Sequence, residues 1–165
     1  MAAKQKFKKN DWVVYPTHGV GRVTGIEKQK IEDVSITLIV ISFEQDRMTL
    51  RVPVTKAEEA GLRNLASKDE MKLALKTLKG RSRIRRTMWS RRAQEYEAKI
   101  NSGSPVLIAE VVRDLHRNAD QPEQSYSERQ IYQSALERLS REFAAVESID
   151  EEQATEKLEE ILLAA

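Results

Sequence analysis

Hydrophobic periodicity changes once along this 165-residue chain, near Val54, and that change limits the folds open to it. Before it, apolar residues alternate with polar ones, as half-buried strands require; after it they recur at three and four, as amphipathic helices require. Trp12-Val13-Val14-Tyr15 is a short β-prone run closed by Pro16 and the turn Thr17-His18-Gly19. Val20 to Lys28 carries Gly21 and Gly25, which in a strand predict a bend or bulge. The strongest strand signal runs from Ile31 to Phe43. There Val34, Ile36, Leu38 and Val40 share one face, and Ile39, Ile41 and Phe43 make the other apolar too, so the strand is central or covered on both sides. After the polar turn Glu44-Gln45-Asp46-Arg47, Met48, Leu50 and Val52 alternate with Thr49 and Arg51 until Pro53 stops the pairing. No helix-length segment separates these runs. Parallel βαβ architecture is thereby excluded, leaving a small, strongly bent sheet or barrel of four or five strands.

Helical signals fill the rest. Lys56 to Ala60 reads as one turn closed by Gly61, and Ser67 with Glu70 is a capping box ahead of Met71, Leu73, Leu75 and Leu78, with Gly80 as the stop. A helix from about Thr87 to Asn101 ends at Gly103; Ser104-Pro105 caps the next, with Ile108, Val111, Val112 and Leu115 as its stripe. Asn118 to Gln124 is a loop. Ser127 with Gln130 opens a long helix carrying Tyr132, Leu136, Leu139, Phe143 and Val146, and Ser148 with Glu151 opens a last one carrying Ala154, Leu158, Ile161 and Leu162. The fold class is α+β: a small bent sheet, then a compact bundle of about five helices, with the division placed between 1–66 and 67–165.

Charge nearly cancels overall, at 28 basic against 26 acidic residues, so its one strong concentration is local. Lys79 to Arg92 holds Lys79, Arg81, Arg83, Arg85, Arg86, Arg91 and Arg92, no acid, and Trp89. A cationic stretch with a large planar ring suits a nucleic-acid backbone, charge meeting phosphate and the ring stacking or wedging against bases. Composition alone fits equally a solvated arginine-rich helix start with Trp89 packed in the core. Trp89, Ala93, Tyr96 and Ile100 follow helical spacing and form one stripe, which is more often core than contact surface. Trp89 stands in the first turn, however, where a side chain projects past the edge of a core, half supported and half presented outward. In the sheet half, Arg51 faces outward on a strand that Pro53 marks as an edge. Such an edge either pairs with a strand of another protein or is simply kept soluble by its charge.

A catalytic centre is hard to build from this chain. Its two histidines, His18 in a turn and His116 at a helix end, lie in different halves, and there is no Gly-rich phosphate loop, HExxH or nucleophile elbow. Neither catalytic residues nor a metal site nor a cofactor is expected. The acids of the last helix (Asp150, Glu151, Glu152, Glu156, Glu159 and Glu160) read as a solvated face that complements the helix dipole. Cysteine is absent, which removes disulfides and thiolate zinc sites and fits a reducing compartment. The N-terminus has no apolar run behind its lysines, and no stretch approaches the ~18 apolar residues of a membrane span, so a cytoplasmic protein without a membrane partner is expected.

Four segments, DWVVYPTHGVGRV (Asp11 to Val23), LRVPV (Leu50 to Val54), WSRRAQEYEAKINSG (Trp89 to Gly103) and AEVVRDLHR (Ala109 to Arg117), occur in order and together resemble the CarD/CdnL family of bacterial transcription regulators. The stop at Ala165, without the acidic and AT-hook region of large CarD proteins, resembles the short CdnL type. The resemblance implies a Tudor-like RNA polymerase interaction domain over 1–66 that docks on the β subunit by strand pairing. It implies a helical domain over 67–165 that lies, as a monomer, against promoter DNA at the upstream edge of the transcription bubble without strong sequence specificity. In the family a tryptophan at the position of Trp89 wedges into the minor groove, with basic residues around it, here Arg85, Arg86, Arg91 and Arg92, on the backbone; the effect is on open-complex stability. On the polymerase side Arg51 matches a family arginine before Val-Pro, and Ile31 falls at an apolar contact position. Gln29 stands where some members carry arginine, so Lys28 or Lys30 is expected to substitute; Gln94 replaces a lysine found after the tryptophan in some members. The alternative is a protein–protein adaptor that docks on polymerase, or on another partner, without touching DNA.

Overall fold

The computed structural model describes residues 7–43, 47–81, 88–117 and 124–164. The chain divides into two compact units, Met1–Leu65 and Ala66–Ala165. In the first, β1 (Trp12–Tyr15), β2 (Gly19–Ile31), β3 (Val34–Phe43) and β4 (Met48–Pro53) form an antiparallel meander, and β5 (Arg63–Asn64) returns beside β1. The sheet order is β4-β3-β2-β1-β5, so β3 is interior and β4 is an edge. One short helix, α1 (Val54–Ala57), follows Pro53. The second unit is all helical: α2 (Lys68–Leu78), α3 (Trp89–Asn101), α4 (Pro105–Leu115), α5 (Tyr126–Glu147) and α6 (Glu151–Ala164). This is the α+β order read from the sequence, with five helices in the second unit among the described residues.

The two predicted strands around residue 30 are redrawn by the structure. Ile31 ends β2 instead of beginning β3, and Glu32 and Asp33 form the turn, with φ of 45° and 65°. Two successive positive φ values match the twist of a two-residue hairpin, and neither residue is the glycine or asparagine that usually announces it. The predicted irregularity in β2 is present: the register shifts between Val23 and Gly25, leaving Thr24 as the extra residue. Gly21 sits where a side chain would strike the core, its missing Cβ falling 2.6 Å from Ile41 and 2.7 Å from Phe43. Val13, Val23, Ile39, Ile41, Phe43 and Val52 fill that core with Ala57 and Leu62 closing it. His18 belongs to the turn after β1, its N–H donating to the Tyr15 carbonyl and its ring stacked 5.3 Å from the Tyr15 ring.

In the helical unit Ser67 caps α2 by accepting from the Glu70 N–H, and Ser104 caps α4 by accepting from Leu107, both as expected. Two other caps lie elsewhere than predicted. Ser125, not Ser127, accepts from Glu128 and starts α5. Asp150, not Ser148, caps α6: its Oδ1 accepts from the Gln153 N–H at 2.7 Å while Gln153 Oε1 accepts from the Asp150 N–H. Ser148 instead ends α5 in the left-handed conformation, at φ 56°. In both places two overlapping Ser/Asp-x-x-Glu/Gln patterns carry equal local signals, and packing selects between them. Leu73 is 56% exposed, so the core face of α2 is Met71, Ala74 and Leu78. These pack with Tyr96, Ile100, Ile108, Val111, Val112, Leu115, Leu139, Phe143 and Leu158. Glu142, 3% exposed, accepts from the buried Ala66 N–H at 2.8 Å and ties α5 to the segment ahead of α2. No helix among the described residues is long and apolar enough to cross a membrane, and none of their His, Asp and Glu groups is placed to hold a metal ion.

Candidate functional site

Arg51 lies on edge strand β4 opposite Val40, which in turn faces Gly25 of β2. Side chains alternate along a strand and paired residues share a face, so Arg51 belongs with Gly25, Glu27, Gln29 and Ile31 of β2. The observed ion pair agrees: Arg51 Nε donates to Glu27 Oε2 at 3.2 Å, diagonally across β3, with the two side chains 51% and 44% exposed. A pair this open contributes at most about 1 kcal/mol. Arg51 is thus oriented rather than tied down. Ile31, 54% exposed, stands on the same face at the hairpin tip beside Val34, 59% exposed. At ~3.3 Å per residue it lies roughly 20 Å along the strand from the Arg51 row. Lys28 and Lys30 are exposed but alternate onto the opposite face. Of the four residues singled out on this unit, the sheet brings Arg51 and Ile31 to one face and leaves the two lysines on the other. Gln29 holds the position between them on the Arg51 face.

At the head of α3, Trp89 is half-buried and packs against the bundle core together with Ala93. Tyr96, 5% exposed, lies two turns along α3 from Trp89, its ring 6.3 Å from the indole at 50°. The stripe read from the sequence is therefore real, and Trp89 is its outermost member. The indole Nε1–H donates to Ser127 Oγ at 3.1 Å, from the first turn of α5. Arg92 folds back on its own chain: its guanidinium carbon lies 5.2 Å from the Trp89 ring centroid and 5.8 Å from that of Tyr96, and it donates to the Tyr96 hydroxyl at 3.4 Å. Its Nε is buried without a hydrogen-bond partner among the described residues. Arg91 and Gln94 stand exposed, as does Met88 at 77%. Arg85 and Arg86 lie outside the described residues.

Sequence reasoning singled out Trp89 and Arg51 but not their hydrogen-bond partners, Ser127 and Glu27. Ser127 was masked by its own pattern, since Ser-x-x-Gln there reads as a helix cap. The other histidine, His116, ends α4 with its Nδ1 3.2 Å from the Tyr132 hydroxyl. Burial, then the nearby Glu159 carboxylate, push the Tyr132 phenol up to about 12.

Each unit is matched by its own family profile: residues 7–66 by the CarD-like/TRCF RID domain, and residues 73–159 by the CarD C-terminal domain. A sheet unit of the first kind followed by a helical unit of the second defines a two-part transcription factor. The chain belongs to the CarD/CdnL family. YdeB of Bacillus subtilis (strain 168), named as a proposed transcription factor, is 28% identical over 147 residues, 89% of this chain and 96% of its own. The solved structure of CdnLNt from Myxococcus xanthus is 31% identical and covers 41% of this chain and 96% of its own, with a TM-score of 0.33.

Proposed function

We propose that this protein binds the RNA polymerase β subunit through edge strand β4 and stabilises the open promoter complex by contacting DNA at the upstream edge of the bubble. Docking is supported by the match of residues 7–66 to a polymerase-interaction profile and by an edge strand with an outward, half-exposed Arg51. The partner strand supplies backbone hydrogen bonds, and Arg51 and Ile31 set register along one face. The observation that carries the DNA contact is Trp89: a large, half-buried ring at the outer end of a core stripe, buttressed by Tyr96 and Arg92. A supported ring of this kind suits a minor-groove wedge. Arg91 supplies an exposed positive charge beside it, and Arg85 and Arg86 complete the backbone contacts.

Near-cancelling charge, 28 against 26, makes for weak binding to free DNA. Docking on polymerase raises the local concentration, so a weak contact without sequence preference becomes effective. The wedge favours the melted state by its differential affinity alone, typically ~1–3 kcal/mol, or roughly 5- to 150-fold in open-complex lifetime. Trp89→Ala therefore shortens that lifetime and leaves polymerase binding intact; an unchanged lifetime with a folded variant removes the wedge role. Arg51→Glu places a second acid beside Glu27 and lowers β-subunit capture; undiminished capture removes the docking assignment. The first profile is shared with TRCF proteins, which favours a second reading as an adaptor that docks without touching DNA. Footprinting a promoter complex separates the two: protection at the upstream bubble edge supports the first, and its absence the second.

A further inference from the structure

Trp89 is the first residue of α3, and the residue before it, Met88, makes no side-chain cap. Its own helix therefore does little to fix the ring, because helix ends fray and first-turn N–H groups have no intrahelical partner. The ring is held instead by side-chain contacts, one from another helix and one from the next turn of α3. Ser127, thirty-eight positions away, takes the indole N–H at 3.1 Å. Ser127 itself rides on a well-anchored turn: Ser125 caps α5 through Glu128, and the Glu128 carboxylate pairs with Arg117 of the segment after α4 at 3.1 Å. Arg92 covers the ring with its guanidinium and is fastened at its far side to the buried Tyr96.

We propose that Ser127 and Arg92 are positioning residues that lock the Trp89 ring and withdraw its N–H from base recognition. The inference rests on Trp89 being the DNA-facing residue, and it adds what sets its orientation and selectivity. With the only polar group of the indole engaged by Ser127, the rest of the ring offers no donor to the acceptors of the minor groove. What remains is contact through carbon and π-surface, which tolerates any base. Arg92 acts through the ring rather than on phosphate. A lysine there keeps the charge but loses the planar cover.

The test uses the full chain in two arms. In a Trp12→Phe background Trp89 is the sole tryptophan, and its acrylamide quenching and anisotropy report ring exposure and mobility directly. Ser127→Ala and Arg92→Lys both raise quenching and lower anisotropy, and Ser127→Thr, which keeps the hydroxyl, restores the parent values. In promoter complexes Ser127→Ala shortens open-complex lifetime by roughly 2- to 10-fold, the loss of one modest hydrogen bond. Combined with Trp89→Ala it adds nothing further, since both changes act through one ring. Arg92→Lys leaves the salt dependence of DNA binding unchanged, where a weakened phosphate contact lowers the slope by about one. Unchanged quenching in both variants, full additivity with Trp89→Ala, or a reduced salt slope overturns the proposal. If Trp89→Ala itself leaves the lifetime unaltered, the DNA reading of Trp89 fails, and the fluorescence arm still decides whether these two residues hold the ring.

Discussion

Two glycines in one strand, Gly21 and Gly25 of β2, are expected to respond oppositely to the same substitution. A methyl group on Gly21 would lie 2.6 Å from Ile41 Cγ2 and 2.7 Å and 2.9 Å from Phe43 Cε1 and Cδ1. Neither neighbour has room to retreat: Ile41 is fully buried, Phe43 is 2% exposed, one is β-branched and the other a rigid ring. Overpacking of this kind costs ~1–3 kcal/mol. The opposing gain, a less flexible unfolded chain, is only ~0.4–1 kcal/mol, so crowding wins by up to about 2.6 kcal/mol. At Gly25 the same methyl meets nothing within 4 Å, and φ is not positive there, so only the gain remains. Gly21→Ala thus destabilises the sheet unit, and Gly25→Ala stabilises it by about 0.4–1 kcal/mol. The assay is thermal and urea unfolding of the full chain followed through Trp12 in a Trp89→Phe background, so that fluorescence reports the first unit. For a unit of this size each kcal/mol moves Tm by ~4–8 °C. A Gly21→Ala protein as stable as its parent, or a Gly25→Ala protein weakened by more than about 1 kcal/mol, would show that the close approach of Gly21 to Ile41 and Phe43 does not govern this strand.

Three further outcomes follow from the helical unit. Glu142→Ala leaves the buried Ala66 N–H without its carboxylate acceptor and lowers stability by ~1.5–3 kcal/mol, with Glu142→Gln recovering part of the loss; urea unfolding read through Trp89 measures both. Tyr132 titrates late because burial and Glu159 raise its phenol to about 12, against ~10 in the unfolded chain. Above pH 10 the folded state holds a proton that the unfolded state has released. The stability from this group is therefore complete below that pH and is lost as pH rises through 12. Tyrosinate absorbance should show one of the four tyrosines ionising last, and Tyr132→Phe should flatten the decline. Ser148→Gly should raise stability by ~1 kcal/mol, because a non-glycine residue at φ 56° carries that strain, while Asp150→Ala should cost ~1 kcal/mol of helix capping; thermal melts of the two variants moving the same way would refute this cap assignment.

The change from period two to period three-and-four, the bulge beside Gly25, the edge marked by Pro53, and the caps at Ser67 and Ser104 all depend on contacts within a few positions, and all were legible in the sequence. The resemblance over Asp11 to Val23 and Trp89 to Gly103 anticipated the family that the profiles establish. The misplaced hairpin has a cause of its own. The hairpin at Glu32-Asp33 carries no glycine or asparagine, and its strands are nevertheless aligned over nine paired positions, from Arg22 with Ser42 to Ile31 with Val34. Ladder pairing over that length overrides weak turn preference.

The same division runs through the site. Helical spacing determined that Trp89, Ala93, Tyr96 and Ile100 form one stripe, and strand alternation that Arg51 faces outward, since a backbone period fixes which side chains share a face. Spacing could not determine that Arg92 turns back over two rings, that Ser127 of a later helix takes the indole N–H, or that Glu27 meets Arg51 across an intervening strand. Those contacts join residues 24 and 38 positions apart, or depend on a rotamer chosen by surrounding packing. Short-range periodicity decides where a side chain starts; only the folded neighbours decide what it touches.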